Sequence, residues 1–156
     1  MTYYKDLDAC DYFPGQQQPR LLAIGWLDPG HPYSRGPIPS ELFESLAQLA
    51  VHPWQPVVAA GLHSCPFCVF TGGPTSIRVA DASVQLGMNN IFVPAADAVY
   101  VTPSLVLHYI DAHEYAPPEE FRRAVEACPP MRSMDYLRAI QKHGLMRLAR
   151  PPHPPQ

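Results

Sequence analysis

Charge is scarce in this chain. Only 16% of its 156 residues are Asp, Glu, Lys or Arg, where about a quarter is usual. The formal net charge is −3 and no basic stripe runs along any segment, so the electrostatic footprint of a nucleic-acid binder is missing. No run approaches the ~18 consecutive apolar residues of a membrane span. The opening residues, Met1-Thr2-Tyr3-Tyr4-Lys5-Asp6-Leu7-Asp8, carry acids and no apolar stretch, unlike a secretory signal. Phosphate-binding glycine loops, a dinucleotide fingerprint, a nucleophile elbow and a His-Glu-x-x-His helix are also lacking. These absences predict a cytoplasmic protein with neither a nucleic-acid nor a membrane partner.

Proline is abundant instead, at 20 residues where about 5% of a chain is usual. The prolines mostly separate apolar segments, and 47% of the chain is apolar. That pattern predicts one compact domain with stiff turns, over residues 1–149. A proline-rich tail follows at 150–156, Arg-Pro-Pro-His-Pro-Pro-Gln, expected to be a solvated polyproline II segment or disordered.

The apolar patterning predicts an α+β fold: a small, mostly antiparallel sheet packed by about four helices. Arg20 to Leu27 reads as a buried strand stopped by Asp28-Pro29-Gly30. Ser40 to Val51 reads as a helix capped by Ser40, with Leu42, Phe43, Leu46, Leu49 and Ala50 as its apolar stripe. Short strands are expected at Val57 to Ala60, Val69 to Thr71, Ile77 to Ala80, Asn90 to Val93 and Ala98 to Thr102. Three helices should follow. One starts at Pro103, one at Pro118 with Glu119 and Glu120 in its first turn, and one is capped by Ser133 and ended by Gly144. Phe121, Ala124, Val125 and Cys128 should face inward from the second, and Met134, Leu137 and Ile140 from the third.

The chemistry concentrates in Gly61-Leu62-His63-Ser64-Cys65-Pro66-Phe67-Cys68 and in two later histidines, His108 and His113. Two cysteines separated by two residues can point at one ion from a single tight turn, whose backbone N–H groups then bond the sulfurs. In an extended chain His63 leaves the same face as Cys65 and reaches the same ion. His108 and His113 are five residues apart, about 140° around an ideal helix, so sharing one ion requires the helix to loosen at its end. Asp111 shares a face with His108. The candidate ligands are therefore His63, Cys65, Cys68, His108 and His113, and the soft thiolate–imidazole set predicts one zinc ion.

A redox pair competes with this reading, because Cys65-Pro66-Phe67-Cys68 looks like the glutaredoxin motif. There the first cysteine opens a helix, whereas Val69-Phe70-Thr71 reads here as a strand. Cys128 reads as a small core residue on a helix face, and Cys10 has no role.

The motifs Tyr4-x-Asp6-Leu7, Gly25-Trp26-Leu27-Asp28, Gly61-x-His63-x-Cys65-x-x-Cys68 and His108-Tyr109-x-x-x-His113-x-Tyr115-x-Pro117-Pro118-x-x-Phe121 resemble a family of small uncharacterised bacterial proteins, found chiefly in actinobacteria and myxobacteria. The resemblance covers roughly residues 3 to 127. It implies that the cysteine and histidine motifs form one site, and it implies no activity. Members tend to carry an arginine before the motif glycine, where this chain has Ala60.

Three functions remain open on the sequence. A closed site of two cysteines and two histidines makes zinc structural, with recognition of a protein or small molecule elsewhere on the surface. Three ligands and a water make a hydrolytic metal centre, with Asp111, Glu114 or His31 as candidate base. The third is a thiol redox protein using Cys65 and Cys68.

Overall fold

The computed structural model describes residues 2–13, 20–56 and 61–145. Two small sheets and four helices form the α+β fold that the patterning predicts. The central sheet has the order β1 (Leu21–Ala23), β5 (Val99–Pro103), β4 (Asn90–Pro94). β5 runs antiparallel to β4 and parallel to β1, with Leu22 opposite Tyr100. The N-terminal segment flanks β1 on its other side, through Leu7 N–H to Ala23 O at 2.8 Å and Cys10 N–H to Leu21 O at 2.9 Å. A separate hairpin pairs β2 (Ser76–Val79) with β3 (Ala82–Gln85).

Both faces of the central sheet are buried, and the strand period of two divides its side chains between two cores. Leu22, Ile24, Ile91, Val93 and Tyr100 join α1 (Ser40–Val51), α2 (Val106–His113) and α3 (Glu119–Ala127) in the first core. Leu21, Ala23, Phe92, Val99 and Val101 face α4 (Met134–Lys142) in the second. The result is helices, sheet, helix in three layers, with α2 leaving the end of β5 carrying the site histidines.

The expected and observed elements differ in informative places. α1 has the expected bounds, but Ser40 is its first residue, Pro39 occupies the cap position, and no side chain caps it. The β1 ladder stops at Ala23 because Gly25 takes φ +68° and turns the chain. Pro103 ends β5 instead of opening a helix, and α2 starts three residues later. Val69 to Thr71 is a turn, and Phe70 projects fully into solvent. β3 lies outside the expected strands, because its turn uses Ala80 at φ +51° in place of a glycine. On α4, Ser133 accepts the Tyr136 N–H as expected, but Met134 is exposed and Tyr136 is the buried anchor. The expected strand at 57–60 and the tail lie outside the described residues.

Two buried phenols tie the layers together. Tyr136 donates to Phe92 O at 2.8 Å, and Tyr115 donates to the Asp6 carboxylate at 2.9 Å. Burial pushes both hydroxyls above the ordinary tyrosine range, and for Tyr115 the Asp6 charge adds to it. Below about pH 10 both folded and unfolded chains keep these protons, so the stabilisation is fully present. Above it only the unfolded chain ionises, and stability falls by about 1.4 kcal/mol per pH unit for each phenol. Denaturant midpoints should therefore drop steeply between about pH 10 and 11.5. Midpoints that stay flat over that interval would remove these phenols from the stability account.

Candidate metal centre

The Cys65–Cys68 segment is a tight turn closed by its own backbone. Cys68 N–H donates to Cys65 O at 3.3 Å, Gly72 N–H to Cys68 O at 2.7 Å, and Cys65 N–H to Gly72 O at 2.7 Å. The N–H groups of Phe67 and Cys68 bond the Cys65 sulfur, the arrangement a metal knuckle needs. Gly73 forms the roof. A Cβ at this position would stand 2.8 Å from Cys65 Cβ and 3.2 Å from His108 Nε2, at φ +77°. The Gly72-Gly73 pair that reads as a simple turn in the sequence is thus also a close cover over the site.

The histidines come from α2. His108 is buried in the first turn, and His113 is the last residue of the helix. Glu114 then takes φ +56°, and the N–H groups of Glu114 and Tyr115 both turn back to Tyr109 O. This is a Schellman-like end. It ends the helix immediately after His113, and the two imidazoles meet, Nε2 to Nε2 at 3.3 Å, despite their ideal angular separation.

Cys65, Cys68, His108 and His113 each bring one ligand atom, all within 4.8 Å of one another. His113 Nε2 lies 3.3 Å from Cys65 Sγ, 3.5 Å from Cys68 Sγ and 3.3 Å from His108 Nε2. His108 Nε2 lies 3.3 Å from Cys68 Sγ. One imidazole nitrogen carries one proton or one lone pair, so three simultaneous short contacts cannot all be hydrogen bonds. A tetrahedral ion with bonds of about 2.3 Å to sulfur and about 2.05 Å to nitrogen has edges of about 3.3 Å (N–N), 3.6 Å (S–N) and 3.8 Å (S–S). The one N–N gap and the three short S–N gaps match those edges within a few tenths of an ångström. These four side chains can hold a metal ion.

This chain belongs to the family defined by the domain of unknown function DUF7919, whose model matches residues 2–126. No curated protein and no solved structure matches the chain.

The electrostatics suit a metal. Burial lowers both histidines, assisted at His108 by its neighbour His113 and at His113 by Arg35, so both favour the neutral, ligating form. Burial raises the Cys65 thiol, partly offset by the two knuckle N–H bonds. An uncharged pocket of this kind holds thiolates best when a cation compensates them.

His63 is outside the group of four. Its segment has no strand pairing to enforce alternation. The backbone N–H bonds Gly87 O at 2.9 Å, and the residue lines a small cavity with Tyr12, Trp26 and Asn90. Asp111 is exposed, Glu114 faces Arg35 at 3.7 Å, and His31 stacks on Tyr3 and pairs with Asp28. None of these three candidate bases is in the group. Cys10 is buried in the second core, and Cys128 is half-buried against both.

An aromatic neighbour missed in the sequence joins the knuckle to the rest of the surface. Phe67 packs on His113, Tyr109 and Tyr33, with ring centroids 5.1, 5.7 and 5.5 Å away. The Tyr33 hydroxyl donates to His113 O at 3.2 Å. Tyr33 in turn forms one wall of a groove of about 290 Å³ with Tyr3, Tyr4, Asp6 and Pro32. The motif residues Asp6, Gly25 and Tyr115 meet beside it: Gly25 N–H and Tyr115 O–H both donate to the Asp6 carboxylate.

Proposed function

We propose that this chain is a cytoplasmic, zinc-stapled recognition domain. Cys65, Cys68, His108 and His113 close the coordination of one structural zinc, and recognition of a protein or small molecule takes place on the surface beside it. The observation that carries this reading is the set of three contacts at His113 Nε2, with the spacing of tetrahedral edges. Two thiolates and two imidazoles in tetrahedral array favour zinc among the common divalent ions. Four protein ligands leave no position for a water, and two thiolates neutralise the ion's charge, which favours a scaffold over a hydrolytic centre.

Elemental analysis of the purified protein should find one zinc per chain, and X-ray absorption should find two sulfur and two nitrogen neighbours. A water-derived oxygen in place of one protein ligand would shift the reading to a metalloenzyme. Metal-free protein that reversibly forms a Cys65–Cys68 disulfide would shift it to thiol redox chemistry.

A further inference from the structure

The turn that carries the two cysteines ends in a bare aromatic tip. Phe70 is fully exposed and Val69 is 80% exposed. With half-buried Pro66 and Phe67 in the same turn, they make an apolar tip and not a single stray side chain. From Ser45 to Ile77 the chain carries no Asp, Glu, Lys or Arg. The tip is also held in place. Thr71 N–H and Gly72 N–H both donate to Cys68 O, at 3.2 and 2.7 Å, and Gly73 N–H donates to Thr71 Oγ1 at 3.2 Å. A fixed, exposed aromatic has the form of an interface anchor, because little freedom is lost when it is buried.

A receiver lies beside it. Between the loop before α1 and the end of α2, Pro37, Ile38, Phe43 and Ile110 line an open groove of about 430 Å³, with Asp111 and Glu114 next to them. Phe67 of the turn packs on His113 at 5.1 Å, and the following residue, Glu114, lines the groove. Tip and groove are therefore neighbours, yet Phe70 does not enter the groove of its own chain. We infer that two copies associate about a two-fold axis beside the end of α2, each placing Val69 and Phe70 in the groove of the other. A projection and a recess on one face form the self-complementary patch that a closed two-fold contact needs. Charge agrees. The tip brings none into the groove, and Glu114 already faces Arg35 at 3.7 Å. Size sets the strength. A fully exposed phenyl offers about 200 Å², so two Phe70 tips and the walls that cover them come to roughly 600 Å². Val69 and the rims bring the total toward the ~1,000 Å² at the lower edge of specific interfaces. The dimer is accordingly weak, with a dissociation constant of roughly 10–100 µM.

This inference rests on the recognition role proposed above for the class of partner, a protein, and not on which metal fills the site. Its test is sedimentation of the full chain between about 5 µM and about 1 mM, where monomer should give way to dimer. Phe70→Ser should weaken the dimer about tenfold or more. Ser40→Trp, which fills the groove from an exposed helix position, should do the same. Leu62→Ser, which removes a side chain 61% exposed but outside the tip, should change nothing. Raising salt from about 0.05 to about 0.5 M should not weaken an apolar contact between two acidic chains. A chain that stays monomeric throughout, assemblies larger than a dimer, or undiminished association in either Phe70→Ser or Ser40→Trp would overturn the inference. Zinc is measured on every sample. Metal-free protein that still dimerises would sink the zinc staple and leave the dimer standing, whereas a zinc-loaded chain that stays monomeric would do the reverse.

Discussion

Cys65→Ser protein is expected to lack the metal and to melt at least ~10 °C below the unmodified chain. Structural zinc contributes to folding because the assembled site exists only in the folded state. Here the four candidate ligands join the knuckle to α2 across 40 residues or more of chain. Losing one thiolate leaves a buried cavity with two neutral imidazoles crowded together, their Nε2 atoms 3.3 Å apart. A loss of about 4 kcal/mol is a modest share of the 10–16 kcal/mol typical of zinc binding in small fingers. It corresponds to roughly 8–16 °C in a chain of this size. Chelation of the unmodified protein should reproduce the effect. Cys128→Ala, which touches both cores but not the group of four, should keep its zinc. A Cys65→Ser protein that is metal-free yet melts normally would end the structural role.

The second large effect is expected at Gly73. An alanine there must adopt φ +77°, costing about 1–2 kcal/mol for any L side chain. It must also place a methyl 2.8 Å from Cys65 Cβ and 3.2 Å from His108 Nε2. Neither neighbour can retreat without leaving the site. Gly73→Ala should therefore lose about 2–4 kcal/mol of stability and at least tenfold in metal affinity, read by competition with a chromophoric chelator. Gly144 supplies the internal control. Its φ is +76°, but a Cβ would meet nothing within 4 Å. Gly144→Ala should show the backbone cost alone and leave affinity unchanged. Equal affinity losses for the two would mean that the roof over the site is not in contact with its ligands.

The cysteine half of the site was legible because a two-residue spacing is itself a geometric statement. The histidine half was legible only as residue types. An ideal helix separates the Cα–Cβ directions of His108 and His113, and the meeting of their ring nitrogens at 3.3 Å is a matter of side-chain reach, which no periodicity announces. His63 shows the converse limit. Alternation places it beside Cys65 only in an extended strand, whereas the described backbone there is irregular and anchored to Gly87. For the fold, α1 is plain because twelve residues of clean 3.6-residue period leave little choice. β3 was hidden because four residues turning at Ala80 present no glycine or proline signal. On α4 the pattern gives the inner face to Met134, Leu137 and Ile140; Ile140 is buried there, but Met134 is exposed and its place goes to Tyr136, whose hydroxyl donates to Phe92 O.

The parallel pairing of β1 with β5 also sets an order of events. Leu21 lies opposite Val99, so that ladder forms only after a loop of nearly eighty residues has closed, an entropically slow step. α2 follows β5 directly, so its histidines stand on an element anchored by the sheet. Both cysteines of the knuckle precede β5 in the chain, so coordination by all four candidate ligands would come only after α2 has been made and packed. A metal ion held by all four side chains would therefore bind the folded chain more tightly than one whose α2 has not yet reached the knuckle.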